Sequence, residues 1–263
     1  MTGMTIAAGR YRCEDDARHH LISHARRMDS AGINQGKSGN LSVRWRRSDS
    51  DGFLVTPTAL PYDETEIDDL VWLPLPEPGL APSIDCEVFG DDAGGSGPEG
   101  RRGPGSRRPS SRRPSSRRPS SEWRFHRDIY RARADACAIV HTHAICCTTL
   151  ACLDRVQQHG IPAFHYMIAM AGGDSIRCAG YATFGTQALS DHVVAALSDR
   201  SACLIANHGM IATGRDLPAA FALAVECEAL ARMYWQALQI GEPVILDAAE
   251  MARVLERFAD YRR

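Results

Sequence analysis

The 263-residue chain has a single lysine, no Cys-x-x-Cys pair among its nine cysteines, and no apolar run long enough to cross a bilayer. Each shortage excludes something. Lys37 sits in a polar, glycine-containing loop, so the apolar motifs that could carry chemistry hold no lysine, which argues against Schiff-base catalysis. An odd number of scattered cysteines argues against a disulfide framework and fits buried thiols in a reducing cytoplasm. The stretch Met1 to Cys13 lacks the apolar core of a signal peptide, so the expected location is cytoplasmic, with no membrane partner. Acid is locally absent as well. From Arg101 to Ser121 there are eight arginines and no Asp or Glu, so the formal net charge of −2 leaves about −10 on the rest of the chain. An acidic body argues against nucleic acid as the main partner.

What is present centres on Ala138-Ile139-Val140-His141-Thr142-His143, an apolar strand leading into His-x-His. Side chains alternate along a strand, so His141 and His143 face the same way and can grip one ion. A third histidine follows another apolar run, Ala202 to Ala206, in Asn207-His208-Gly209, and a candidate carboxylate, Glu122, lies upstream. Three histidines and a carboxylate suit a first-row metal, most simply Zn²⁺.

Around this centre the chain predicts a helix over Glu14 to Ala31, with Ala17, Leu21, Ala25 and Met28 at helical spacing and Gly32 beyond its end. The loop Asn34 to Gly39 runs into a strand through Asn40-Leu41-Ser42-Val43-Arg44, and Gly39 would let backbone approach a ligand. Short strands are expected at Phe53 to Thr56 and Val71 to Leu73. Pro, Gly, Ser and Arg then dominate, and Arg-Arg-Pro-Ser-Ser occurs three times in tandem from Arg107. That composition predicts a disordered insertion over about 77–118 inside one domain spanning 1–263, with order resuming at Ser120. Further helices are expected over Glu122 to Arg133 (Ser120 or Ser121 as N-cap, Glu122 in the first turn), Ala144 to Leu153, Thr186 to Leu197, Leu217 to Ile240 behind Asp216, and from Asp247 to Phe258. Ile161 to Met170 reads as apolar and irregular. Strands paired between helices, without a βαβ rhythm, predict an α/β domain with a substantially antiparallel sheet.

Seven separate motifs carry a resemblance: Gly39-Asn40-Leu41-Ser42-Val43-Arg44, Thr56-Pro57-Thr58, Pro119-Ser120-Ser121-Glu122-Trp123-Arg124-Phe125-His126, His141-Thr142-His143, His165-Tyr166-Met167-Ile168, Tyr181-Ala182-Thr183-Phe184-Gly185-Thr186 and Asn207-His208-Gly209. With them the chain resembles the class II aldolase/adducin family, and within it the L-fuculose-1-phosphate aldolase branch, over nearly its whole length outside the insertion. The resemblance implies a three-layer α/β/α sandwich with a central, mainly antiparallel sheet. It implies a homotetramer with active sites between subunits and one Zn²⁺ per subunit, held by His141, His143 and His208 with Glu122 as fourth ligand and acid/base. Gly39, Asn40, Thr58, Ala59, Ser120 and Ser121 match the positions that hold the substrate phosphate. Tyr166 resembles a tyrosine lent by a neighbouring subunit for proton transfer, and Phe258 and Tyr261 a C-terminal pair over the aldehyde end. Ala59 departs from the pattern, which usually has Gly there. The implied reaction cleaves a phosphorylated sugar, L-fuculose 1-phosphate or a similar deoxyketose phosphate, to dihydroxyacetone phosphate and a small aldehyde such as lactaldehyde. On the same fold, a methylthioribulose-1-phosphate dehydratase shares the three histidines and a carboxylate. A sugar-phosphate epimerase would be expected to carry Asp at position 122. An adducin-like scaffold would lack the ligands.

Overall fold

A period of two along strands and of 3.6 along helices sorts apolar side chains onto defined faces, and here those faces meet in three layers. The computed structural model describes residues 11–47, 50–75 and 115–261, the side chains of 260 and 261 excepted. Eight strands form the middle layer: β1 (Asn40–Arg44), β2 (Gly52–Val55), β3 (Val71–Pro74), β4 (Ala138–Thr142), β5 (Ile161–Pro162), β6 (Ser175–Ala179), β7 (Ala202–Ile205) and β8 (Gly209–Gly214). Their order is β3-β2-β1-β4-β8-β7-β6-β5, and every neighbouring pair is antiparallel except β6–β7.

Alternation assigns the two faces. Leu41, Val43, Val140 and Met210 point to one side and join a core with α1 (Glu14–Ser30), α3 (Ile145–Ala151) and α6 (Leu217–Ile240). Phe53, Ile139, Ile205 and Ile211 point to the other and meet α2 (Trp123–Ala132) and α5 (Gln187–Ala196). The chain is therefore an α/β/α sandwich with a central, mainly antiparallel sheet. α4 (Asp154–His159) follows α3 closely, and α7 (Ala248–Tyr261) packs on a 3₁₀ turn at Tyr166–Ala171. No helix among the described residues is long and apolar enough to cross a membrane.

Helix ends obey local chemistry. Ala17, Leu21, Ala25 and Met28 are all buried on α1, and the chain leaves it through Gly32 at φ +71°. Thr186, Asp216 and Asp247 each accept a backbone N–H three residues on, as N-caps do.

Several expectations need correction. Glu122 is itself the N-cap residue of α2, not part of its first turn, because Ser120 Oγ accepts the Glu122 N–H and holds the backbone outside the helix. The helix expected over Ala144 to Leu153 is α3, which stops at Ala151, and a second helix that the sequence reading did not expect, α4, starts at Asp154. β6 has no counterpart in the sequence reading: with Arg177 in its middle and three of its five residues half-buried, it lacks clean alternation. Order also resumes before Ser120. Ser115 donates to the Asp69 carbonyl at 3.2 Å, Arg117 pairs with the Asp69 carboxylate at 2.9 Å, and the Thr58 N–H donates to the Arg118 carbonyl at 3.1 Å. The rest of the expected insertion, through residue 114, lies outside the described residues.

Candidate metal centre

Register brings the candidate residues to one end of the sheet. Asn40 opens β1 opposite His141 near the end of β4, and β8 begins opposite that same end, with Thr142 paired to Met210. The tight turn between β7 and β8 carries Asn207, at φ +54°, and His208. Asparagine tolerates that left-handed geometry better than most residues. Close approach is built in at Gly39, where an added Cβ would lie 2.6 Å from the His141 carbonyl oxygen and 2.8 Å from Asn34 Oδ1. Gly209 is equally confined, against the Thr142 backbone carbonyl.

The outcome is a compact group. One ligand atom from each of Glu122, His141, His143 and His208 lies within 4.8 Å of the others. The three imidazoles stand mutually edge-on with centroids 4.8–5.1 Å apart. The Nε2 atoms of His141 and His208 each approach a Glu122 carboxylate oxygen at 3.2 Å. His141 Nδ1 lies 2.9 Å from the Met210 carbonyl and donates to it, which leaves the Nε2 lone pair facing the group. Burial pulls His143 down to about 4, with His141 and His208 adding to the effect, so its imidazole is neutral at pH 7. Burial pushes the Glu122 carboxyl up, but His141 and His208 outweigh it and hold the group below the usual carboxylate range.

Glu122 Oε1, His141 Nε2 and His143 Nε2 are buried with no hydrogen-bond partner. Orphaned buried polar atoms cost roughly 1–3 kcal/mol each, so three converging on one point require a shared partner. Three imidazoles and a carboxylate suit a divalent first-row cation, which these residues could hold while leaving room for substrate oxygens.

The group opens into a cleft of about 300 Å³ lined by Ser38, Ser121, Glu122, His143, Asn207 and His208, with Tyr181, Ala182 and Phe184 on an apolar side. The expected phosphate segments are neighbours. Leu41 and Thr56 exchange hydrogen bonds, Ser120 N–H donates to the Thr56 carbonyl at 3.0 Å, and Pro57 bridges to Pro119. That clamp sets the Thr58–Ala59 turn beside Ser120 and Ser121. Ala59 adopts φ +60°, the left-handed region where glycine carries no penalty, so the methyl costs about 1 kcal/mol of backbone strain there. Lys37 donates to the Ala59 carbonyl at 3.3 Å.

Two residues do not sit as the sequence suggested. The Asn40 side chain is engaged with Glu122 Oε2 at 2.9 Å and His126 at 2.5 Å, a role that sequence reasoning missed. Tyr166 is half-exposed, stacked on Phe258 with centroids 6.4 Å apart, and is absent from the lining of its own chain's cleft. The side chain of Tyr261 lies outside the described residues. Sequence reasoning also missed Glu228, whose carboxylate accepts the Cys146 and Cys147 N–H groups at 2.8 and 2.9 Å. A buried glutamate in an apolar helical stretch was the available signal.

Known proteins are similar to this chain over most of their length. The 5-methylthioribulose-1-phosphate/5-deoxyribulose-1-phosphate aldolase of Rhodospirillum rubrum is 49% identical over 244 residues, 93% of this chain and 91% of that protein. The L-fuculose phosphate aldolase of Escherichia coli K12 is 41% identical over 242 residues, 92% of this chain and 93% of that protein. A solved L-fuculose 1-phosphate aldolase superposes with a TM-score of 0.73 at 32% identity, covering 93% of this chain and 96% of the other. The family model for the class II aldolase and adducin N-terminal domain matches residues 19–235, which take in all four converging side chains, and the chain belongs to that family.

Proposed function

We propose that this protein is a zinc-dependent aldolase that cleaves a deoxyketose 1-phosphate to dihydroxyacetone phosphate and a small aldehyde. The carrying observation is the cluster of three histidines with Glu122, whose Oε1 is buried without a hydrogen-bond partner at the base of the cleft. His141, His143, His208 and Glu122 are the residues that would hold the ion, and a divalent cation there supplies Lewis acidity for substrate oxygens. Cleavage breaks the bond between C3 and C4, removes the proton of the C4 hydroxyl and returns a proton to C3. Glu122 is the acid/base group at C3, because it is the one carboxylate in the cleft lining. Gly39, Thr58, Ala59, Ser120 and Ser121, with the backbone at Asn40, offer compact donors for the phosphate.

The apolar side of the cleft, Tyr181, Ala182 and Phe184, suits a substrate tail ending in methyl or methylthio rather than hydroxymethyl. That favours 5-deoxyribulose 1-phosphate, its methylthio analogue and L-fuculose 1-phosphate, the compounds for which the relatives are named. Tyr166, exposed and outside the lining of its own cleft, serves the proton at the C4 oxygen in a neighbouring subunit of a homotetramer. Exposed Trp235, Ile240 and Val244 supply apolar surface for such contacts. Eight free cysteines among the described residues suit a reducing, cytoplasmic setting.

The test is a panel of ketose 1-phosphates incubated with zinc-loaded protein, with dihydroxyacetone phosphate release measured by a coupled assay. Glu122→Gln should lower cleavage roughly 10²–10⁴-fold with zinc retained. Water elimination without carbon–carbon cleavage, or near-normal turnover in the variant, would overturn the reading.

A further inference from the structure

Four-residue steps along a helix and two-residue steps along a strand cover nearly the same distance, about 6.0 and 6.6 Å. A helix lying along a strand can therefore interleave its i, i+4, i+8 side chains with the strand's i, i+2 side chains. α2 and β1 do this with polar groups. In order along the contact stand Glu122, Asn40, His126, Ser42 and Tyr130, drawn alternately from α2 with its N-cap residue and from β1, and all five are buried. Their links are continuous: Glu122 Oε2 to Asn40 Nδ2 at 2.9 Å, Asn40 Oδ1 to His126 Nε2 at 2.5 Å, His126 Nδ1 to Ser42 Oγ at 2.7 Å, and Ser42 Oγ to Tyr130 OH at 2.8 Å.

Chemistry fixes the direction of every link. A carboxylate only accepts, so the Asn40 amide must turn its NH₂ to Glu122 and its carbonyl to His126. His126 must then donate from Nε2, which leaves Nδ1 to accept from the Ser42 hydroxyl. Ser42, having donated, accepts from the Tyr130 phenol. The opposite His126 tautomer would set two acceptors against each other at 2.5 Å, or flip the amide and set its oxygen against the carboxylate. Anchoring Oε2 leaves Oε1, which points into the histidine group 3.2 Å from His208 Nε2, as the carboxylate oxygen that can serve the ion and then the substrate proton.

We propose that His126 is a positioning residue: as the Nε2–H tautomer, locked by Ser42 and Tyr130, it orients the Asn40 amide so that Glu122 is held by one oxygen and presents the other to substrate. The inference rests on the reading of Glu122 as the acid/base group. It gives the buried histidine of the Glu-Trp-Arg-Phe-His motif a task beyond packing.

Imidazole ¹⁵N NMR of the zinc-loaded, full-length protein tests the geometry without any turnover, the His126 signal being assigned by its loss in His126→Gln. The expected spectrum shows a neutral ring protonated at Nε2. An Nδ1–H tautomer or an imidazolium at pH 7.5 would overturn the proposal. Kinetics test the consequence. His126→Phe removes the donor and should lower kcat about 10- to 100-fold, the range for groups that orient a catalytic residue, with KM changed less than about threefold and zinc retained. His126→Gln restores an amide N–H near the Nε2 position and should recover most of that loss. Wild-type kcat in His126→Phe, or equal losses in both variants, would show that the histidine only fills space. A wild-type protein that cleaves no ketose 1-phosphate would refute the proposed reaction, while the tautomer would still decide the relay.

Discussion

Glu228 lies on α6, yet its carboxylate closes the start of α3, 81 and 82 residues earlier in sequence. Ala144, the N-cap residue of α3, makes no side-chain cap, so the distant glutamate takes its place. Both carboxylate oxygens are used, and the residue is 4% exposed. Glu228→Gln keeps one acceptor and turns an NH₂ toward the other peptide N–H. A hydrogen bond to a charged group contributes about 1.5–3 kcal/mol, and a negative charge at a helix N-terminus about 0.3–1 kcal/mol more. The substitution should therefore cost about 2–4 kcal/mol. At about 2–4 °C per kcal/mol for a chain of this size, Tm should fall by about 5–15 °C. α3 begins two residues after His143, so a frayed first turn should also loosen that imidazole. Zinc-loaded wild type and variant should be compared by differential scanning calorimetry, and their zinc affinities by competition with a chelator. A Tm within 1 °C of wild type, with unchanged zinc affinity, would refute the assignment of Glu228 as the cap.

Three further outcomes are expected. His208→Ala or His141→Ala should lose zinc and activity together, and full occupancy by metal analysis in either variant would sink the ligand assignment. Gly39→Ala should push β1 and β4 apart where Asn40 faces His141, costing about 1–3 kcal/mol by urea denaturation and weakening zinc retention; an unchanged midpoint would show that the strands absorb the methyl. The last concerns pH. Burial brings His126 down from 6.5 to about 3, so below pH 6.5 the unfolded chain takes up a proton that the folded chain refuses. Folding stability from this group is thus intact above pH 6.5 and falls as pH drops toward 3, by at most about 1.4 kcal/mol per unit. Between pH 7.5 and 5, wild type should lose about 2 kcal/mol more than His126→Gln in urea titrations, and parallel losses would contradict the burial argument.

Local rules let the sequence determine a good deal on its own. A two-residue strand period is enough to place His141 and His143 on one side, and a 3.6-residue period with Thr186, Asp216 and Asp247 before it is enough to place α5, α6 and α7. Those forces act over a few residues, so they are written locally. The motifs likewise named Glu122, His141, His143 and His208 before any geometry was available. Tertiary structure alone decided what those residues lean on. Asn40 is 82 residues from Glu122 and 86 from His126, and only the pairing of β1 beside β4, with α2 laid along it, turns a presumed phosphate residue into the anchor of the carboxylate. Glu228 reads as one more polar position on a long helix until α3 arrives at its carboxylate. β6 is invisible to periodicity because neighbours on both sides and helices above and below fix it, rather than its own alternation. Ala59 at φ +60° is held by the clamp between Thr56 and Ser120 against its own preference. In each case the deciding contact joins parts of the chain that no local rule connects, and its energy exists only once the sheet has assembled.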